Sequence, residues 1–404
     1  MISKLKSLGP GLLFAGAAIG VSHLVQSTRA GADFGMGLLW ALILVNIFKY
    51  PFFQFGPRYA AATGESLLEG YNKLGKSVLV IYYILNFATM FTIQTAVTIV
   101  TAGIAFTLFG DIFNLEIWTV VILTVCISIL MLGKFKLLDR LMKIIVTTLT
   151  VSTVIAVFIA LNQNSTPISF QQILPNNNLE IAFLIAFMGW MPAPLDVSIW
   201  QSLWCVEKNK NTKQHNPKSI LFDFNVGYLS TIILGIGFLM LGALVMFNSG
   251  ETFSNSAGVF SSQLINIYTA NLGNWAYIII GVAAFTTMFS TTLTTLDASP
   301  RAMAKTTQLL FKKSSKFNYN FWITLLSIGT VSIFLFLASE MGLLIKVATI
   351  LSFITAPFFA IINYALISSK HTPKEWQPSK KTHILSWLGI IFLIVFSIWY
   401  LITL

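Results

Sequence analysis

Charge is what this 404-residue chain has least of. Only 10% of its residues are charged and only 14 are acidic, while 56% are hydrophobic. A soluble protein carries about 25% charged residues, so this chain cannot cover itself with water-facing side chains, and lipid must be its solvent. Cysteine is scarce too: Cys126 and Cys205 have no metal or redox spacing and read as packing residues. No Gly-rich phosphate loop is present, which argues against ATP-driven transport within the chain. No filter motif or charged ring marks a channel. No motif supports enzymatic activity, and no cofactor is implied. The first apolar stretch lacks a small-residue cleavage pattern, so it does not read as a removable signal.

What the chain does have is apolar length. A crossing helix needs about 20 apolar residues. Eleven candidate spans stand near 10–30, 36–57, 77–108, 116–133, 141–161, 179–204, 219–247, 270–297, 318–339, 342–368 and 384–403. Of 25 basic residues, 22 fall in alternate connections: Lys4 and Lys6 before span 1, Arg58, Lys73 and Lys76 after span 2, Lys134, Lys136, Arg140 and Lys143 after span 4, Lys208, Lys210, Lys213 and Lys218 after span 6, Arg301, Lys305, Lys312, Lys313 and Lys316 after span 8, and Lys370, Lys374, Lys380 and Lys381 after span 10. The opposite connections hold Asp111, Glu116, Glu251 and Glu340. Cytoplasmic loops are the basic ones. The expected topology in the cell membrane therefore has a cytoplasmic N-terminus and, after an odd number of spans, an extracytoplasmic C-terminus. The net charge of +11 is spread over six short loops and is a topology signal rather than a nucleic-acid patch. Nothing demands an oligomer, and a monomer is expected.

No soluble domain interrupts residues 1–404, which read as one membrane transport domain. An Asn- and Gln-rich connection at 162–178 divides five spans (about 10–161) from five more (about 179–368) and an extra one (about 384–403). Spans 1 and 6, which open the two parts, are each broken near the middle, at Ala17-Ala18-Ile19-Gly20-Val21-Ser22-His23 and at Gly189-Trp190-Met191-Pro192-Ala193-Pro194. An odd-numbered repeat must enter the membrane from the opposite side the second time. The pattern predicts an all-α integral membrane protein with a 5+5 inverted repeat. Non-helical backbone at membrane depth is tolerated only inside protein or along a cavity, and paired breaks point to a transporter's substrate site.

Several stretches resemble the NRAMP (natural resistance-associated macrophage protein) family of divalent-metal transporters. They are Gly9-Pro10-Gly11-Leu12-Leu13, Ala30-Gly31-Ala32-Asp33-Phe34-Gly35, Leu38-Leu39-Trp40, Ala62-Thr63-Gly64, Met191-Pro192, Ser290-Thr291, Thr295-Leu296 and Leu351 to Pro357-Phe358. The resemblance covers roughly spans 1 to 10 and implies a leucine-transporter-type fold with alternating access. The departures are specific. Where the family has Asp-Pro-Gly-Asn in its first helix, this chain has Gly20-Val21-Ser22-His23; the family's helix 6 Met-Pro-His keeps Met191, but its His becomes Ala193 and the next Asn becomes Pro194. A second helix 6 His, linked to proton movement in the family, becomes Ser198. The family's metal and proton mechanism therefore does not carry over onto these positions.

Ser22, His23, the Met191 thioether and backbone carbonyls make a poor cage for a dication, which needs several oxygen ligands, carboxylate normally among them. Half-helix N-termini near Ser22 and Ala193 instead offer free N–H donors and partial positive charge, which bind anions. The expected substrate is a small inorganic anion; the family resemblance suggests bicarbonate, because members that lost the metal ligands look like bicarbonate transporters. Gly20, Val21, Ser22, His23, Met191, Pro192, Ala193 and Pro194 are the candidate binding residues, with no resident metal. Lys49 and Lys346 are the lysines within spans; an intramembrane charge is a functional candidate, so Lys49 either lines the inner path or pairs with an acid, while Lys346 snorkels. Arg29 either draws anions to the outer mouth or is an ordinary surface arginine. Asp196 is the rival feature: five residues past Met191 it turns about 140° from that face, toward Lys49 or a polar helix, but facing the cavity it would restore a cation site for magnesium or manganese. A third reading is a sensor that binds without flux. The threonines of span 8, Thr286, Thr287, Thr291, Thr292, Thr294 and Thr295, either line a polar path or bond neighbouring helices.

Overall fold

The computed structural model describes residues 9–110, 112–163, 169–211, 217–247, 254, 256–273, 276–311, 316–337 and 340–403. Lys4, Lys6, Asp111, Lys213, Glu251, Lys312 and Lys313 of the charge pattern lie outside the described residues. The described chain is helical throughout, without strands. Span 1 is α1 (Pro10–Ala18), a π-helical turn (Ser22–Ser27) and α2 (Thr28–Phe34), bent by 49°. α3 (Leu39–Thr63) is followed by the short α4 (Leu67–Leu74), then α5 (Lys76–Phe109) and α6 (Leu115–Gln163). The second half runs through α7 (Asn178–Trp190), α8 (Val197–Asn211), α9 (Pro217–Val245), α10 (Ala257–Leu272), α11 (Ala276–Phe311), α12 (Tyr319–Leu337), α13 (Met341–Ile367) and α14 (Lys380–Thr403).

Among the described residues, eight stretches are long and apolar enough to cross a membrane, or nine with the bent first pair taken as one. The two further expected crossings fall on the α7–α8 pair and on α11. Phe336, Leu132 and Ile402 are 86%, 85% and 78% exposed, as lipid-facing side chains would be. Two expectations change. Spans 4 and 5 are joined by helical backbone, because the stretch between them holds Gly133 but no proline to stop a helix; its apolar halves are Leu115–Leu132 and Leu137–Asn162. α10 was not expected at all. Its Ser, Gln, Asn and Thr residues dilute the apolar signal, yet it packs on α5, where Ser262 meets Thr107 at 3.2 Å.

Span 1 is held against α9 along both halves. A Cβ on Gly11 or Gly227 would come within 2.0 Å of backbone on the other helix, and one on Gly31 or Gly242 within 2.1 Å. Small residues let membrane helices approach this closely, where packing rather than hydrophobicity drives association. The start of α1 is capped across the same interface: the Asp223 carboxylate accepts the amides of Gly9 (2.9 Å) and Gly11 (2.8 Å). Those donors have no partner within α1. Above α3, the extended segment before α7 is tied down by Trp40, whose indole donates to the Ile173 carbonyl at 2.9 Å, and by Gly37, whose carbonyl accepts the Ile173 amide at 2.9 Å.

Candidate functional site

In the first break, the Gly20 amide turns back to the Ala18 carbonyl (3.1 Å) and the His23 amide to the Gly20 carbonyl (3.1 Å). Gly16 and Ile19 therefore lose the amides four residues ahead that would have taken their carbonyls. Hydroxyls of α11 stand in: Thr291 Oγ1 lies 3.2 Å from Gly16 O and 3.1 Å from Ile19 O, and Ser290 Oγ lies 3.3 Å from Gly16 O. Gly20 must be glycine here, since its Cβ would stand 2.4 Å from Thr291 Oγ1.

In the second break, Pro192 and Pro194 supply no amide protons, so α7 stops at Trp190; the Met191–Pro192 bond is cis. The end of α7 frees carbonyls that carry the negative pole of the half-helix. Lys49, fully buried on α3, answers them. Its ammonium donates to the carbonyls of Met188 (2.8 Å), Gly189 (2.7 Å) and Met191 (3.1 Å), with Ala193 at 3.4 Å. Lys49 is thus neither an inner-path lining residue nor one half of a direct ion pair; it caps a broken helix. The second half-helix begins at Val197, not at Ala193, and Asp196 stands immediately before it. The Asp196 side chain is buried, its Oδ1 has no hydrogen-bond partner, and its electrostatic neighbours are Lys49, Tyr71 and Tyr82. The side chain is thus directed toward α3, α4 and α5, and it does not line the cavity between the breaks.

That cavity measures about 30 Å³, counted as space for water centres, which is room for about two waters. Gly20, Val21, Ser22, Ala193 and Pro194 line it, as does Thr291. His23, Met191 and Pro192 do not. His23 is fully buried with its Nε2 3.0 Å from the Thr231 carbonyl of α9 and its Nδ1 2.7 Å from Ser22 Oγ. A carbonyl only accepts, so in the neutral ring Nε2 carries the proton and Nδ1 is an acceptor facing the Ser22 hydroxyl, whose one hydrogen is shared between Nδ1 and the Ala18 carbonyl at 2.8 Å. His23 Cδ2 and Met191 Sδ both pack toward Gly235 of α9. Arg29 sits part-buried on α2 one turn from Asp33, its nearest charge, away from the cavity wall. The walls also include Thr295, offered by the sequence with Thr291 as lining a polar path, and Trp190, Trp200 and Val197, which sequence reasoning missed as binding candidates. A signal existed: Val197 and Trp200 share a helix face at three residues' spacing, and Thr291 and Thr295 at four. Trp200 Nε1 is buried without an acceptor. No cluster of three or more His, Cys, Asp or Glu able to hold a metal occurs among the described residues.

Residues 11–403 match the family model for natural resistance-associated macrophage protein-like (Nramp) proteins. The chain belongs to the Nramp family. Nramp members are membrane transporters and not enzymes, and this Nramp chain has the multi-pass helical fold of a secondary transporter. It is 38% identical over 98% of its length to an uncharacterized protein of Pasteurella multocida, PM0681, of which the match covers 92%. It is 29% identical over 61% of its length to the divalent metal cation transporter MntH of Staphylococcus aureus, covering 56% of that protein. In fold it is similar to a manganese transporter of Eremococcus coleocola, with a TM-score of 0.75 at 13% identity over 98% of this chain and 85% of the other. MhsT, an L-phenylalanine complex, gives 0.63 at 14% identity over 96% and 98%. The leucine-transporter type of fold is thereby shown for this Nramp chain. Ser66 and Glu69 form a capping box at the start of α4, and Lys305 of α11 bonds Glu69 at 2.7 Å. Burial alone would raise the Glu69 pKa, but these bonds outweigh it and hold the carboxyl below its ordinary value.

Proposed function

We propose that this Nramp protein carries a small monovalent inorganic anion, bicarbonate first among them, by alternating access at the cavity between the two breaks. The observation that carries the reading is Trp200: the residue lines the cavity, and its buried indole N–H has no acceptor. A buried unpaired donor costs about 1–3 kcal/mol, and a ligand bearing lone pairs removes that cost. Around it stand the Ser22 and Thr291 hydroxyls and the start of the helical segment at Val21, and no carboxylate lines the wall. The family's metal-binding Asp and Asn positions hold Gly20 and His23 here, and the His23 nitrogens are already engaged by Ser22 and Thr231. The cavity volume suits a small ion and is too small for an amino acid. Bicarbonate is preferred within that class by the resemblance to family members without the metal ligands. The basic connections place the N-terminus in the cytoplasm and the C-terminus outside.

The second reading is a divalent-metal carrier. It is favoured by the likeness to the divalent metal cation transporter MntH and by Asp196 Oδ1, a buried acceptor without a partner. The deciding test compares manganese and magnesium uptake into proteoliposomes with an internal pH change driven by a bicarbonate gradient. Bicarbonate flux without metal flux, weakened by Ser22→Ala and retained in Asp196→Asn, is expected. Metal flux lost in Asp196→Asn, with no bicarbonate flux, overturns the anion reading.

A further inference from the structure

Arg58, near the end of α3, is a guanidinium without a counter-ion. Its N–H groups meet no protein acceptor among the described residues, and its Nε is shut off from water as well. Its electrostatic neighbour is the Tyr50 phenol, not a carboxylate. The side chain is part-buried, so its hydration is incomplete. An arginine held in this way suits an oxyanion that takes two of its hydrogens at once. Other polar groups of the same face are already oriented. Tyr50, Gln54 and Arg58 follow one another at four-residue spacing along α3. Gln54 Nε2 donates to Tyr50 Oη at 2.7 Å, and Tyr50 Oη donates to Asn225 Oδ1 of α9 at 2.8 Å. With its oxygen taken, Asn225 keeps an NH2 group as a donor on an exposed side chain.

Depth and surroundings decide which oxyanion fits. Lys49 marks the level of the second break. Arg58 follows it by nine residues on the same helix, about 14 Å further along, against about 15 Å for half a hydrocarbon core. That is the depth of a lipid headgroup. Deeper in the membrane the two helices turn apolar side chains outward: Ile47 on α3, and Leu229 and Ile233 on α9, all exposed. We infer that Arg58, Asn225 and the Tyr50–Gln54 pair form a binding site for the phosphodiester of an anionic glycerophospholipid, with one acyl chain along Ile47 and Leu229. Basic pockets between membrane helices bind such headgroups. A zwitterionic lipid carries its own ammonium beside the phosphate, which competes with the guanidinium, so a net negative lipid is preferred. The bound lipid bridges α3 and α9. It reinforces the Tyr50–Asn225 bond and the contacts of the Tyr50 ring with Phe224 and Tyr228, at 5.8 and 5.2 Å between centroids. The site is separate from the cavity between the breaks and does not depend on what the protein carries.

The test is native mass spectrometry of the full-length protein released from detergent micelles, titrated with phosphatidylglycerol or with phosphatidylcholine of the same chains. Saturable binding of phosphatidylglycerol is expected, with phosphatidylcholine weaker. Arg58→Gln removes the charge and should weaken phosphatidylglycerol binding about tenfold, which brings the two lipids close together. Asn225→Ala deletes the exposed donor; it should weaken binding by a smaller factor, and serves if Arg58→Gln does not fold. Lys370→Gln, in a different basic connection, should change nothing. Phosphatidylglycerol should also raise the thermal midpoint of the unmodified protein in detergent, and not that of Arg58→Gln. Equal binding of the two lipids, an equal loss in Lys370→Gln, or binding undiminished in both Arg58→Gln and Asn225→Ala overturns the site. Displacement of phosphatidylglycerol by millimolar glycerol phosphate would mean that the pocket takes a soluble phosphate, and overturns the lipid assignment.

Discussion

The two breaks meet the same physical demand by opposite means. Each stops a helix in mid-membrane and strands carbonyls that water cannot reach. At the second break the answer is charge: Lys49 at the end of α7, and Asp196 before α8, each beside the helix pole it complements. At the first break the answer is neutral: the hydroxyls of Ser290 and Thr291, and the Ser22–His23 pair leaning on α9. The second break thus carries its own pair of opposite charges, and the first is held by neutral groups alone.

The largest effect that would break this comparison comes from Lys49→Met. It leaves the carbonyls of Met188, Gly189 and Met191 unbonded and Asp196 without its nearest cation. Removing one partner from a buried charged network costs about 3–5 kcal/mol, so the protein should lose its monodisperse profile in size-exclusion chromatography or melt far earlier. A variant that behaves like the unmodified protein would show that the carbonyls have other partners. Next is Gly20→Ala, whose Cβ would meet Thr291 Oγ1 at 2.4 Å. It should abolish flux while the protein still folds; unchanged transport would place the substrate elsewhere. Trp200→Phe keeps an aromatic ring, smaller than the indole, and deletes the N–H. A weakening of substrate binding by roughly tenfold corresponds to one hydrogen bond of about 1.4 kcal/mol, to be read as a higher KM for bicarbonate-driven flux at similar expression.

The smallest effect lies away from both breaks. Glu69 joins α4 to Lys305 of α11, and its pKa is held below the ordinary carboxylate value. A depressed pKa contributes stability that is complete above the unfolded value, about 4.3, and is lost as pH falls through the folded one. Thermal midpoints measured from pH 6 down to pH 3 should therefore fall less steeply in Glu69→Gln than in the unmodified protein. Equal slopes would mean the contact adds nothing.

Much of this was legible in the residues, and the rest was hidden for definable reasons. The positions of the breaks could be read because Pro192, Pro194 and the Gly20 stretch interrupt apolar runs, and local backbone chemistry needs no tertiary knowledge. Gly20, Val21, Ser22, Ala193 and Pro194 reach the cavity wall because they sit at those interruptions. His23 and Met191 do not, because a side chain at a break can turn either way and the Gly235 surface of α9, distant in sequence, receives them. Lys49 was visible as a buried charge, but its partners lie about 140 residues away and are backbone atoms, which no side-chain pattern announces. Asp196 was placed inside a half-helix because the start of α8 was put four residues early, at Ala193 rather than Val197. Trp200 carries no sequence signal of its own; only its unpaired nitrogen distinguishes it.

The glycine contacts along α9 bear on how such a molecule moves. Both halves of span 1 are laid against that one helix, α1 through Gly11 and Gly227 and α2 through Gly31 and Gly242. A splint fastened on both sides of a fracture prevents flexing at the fracture. The bend of span 1 is therefore not a hinge: α1, α2 and α9 travel together as one lever, and the sliding surfaces lie where that lever meets α5 and α11. Spin labels on α1 and α2 should keep a constant separation through the transport cycle, while the distance from either to α5 changes.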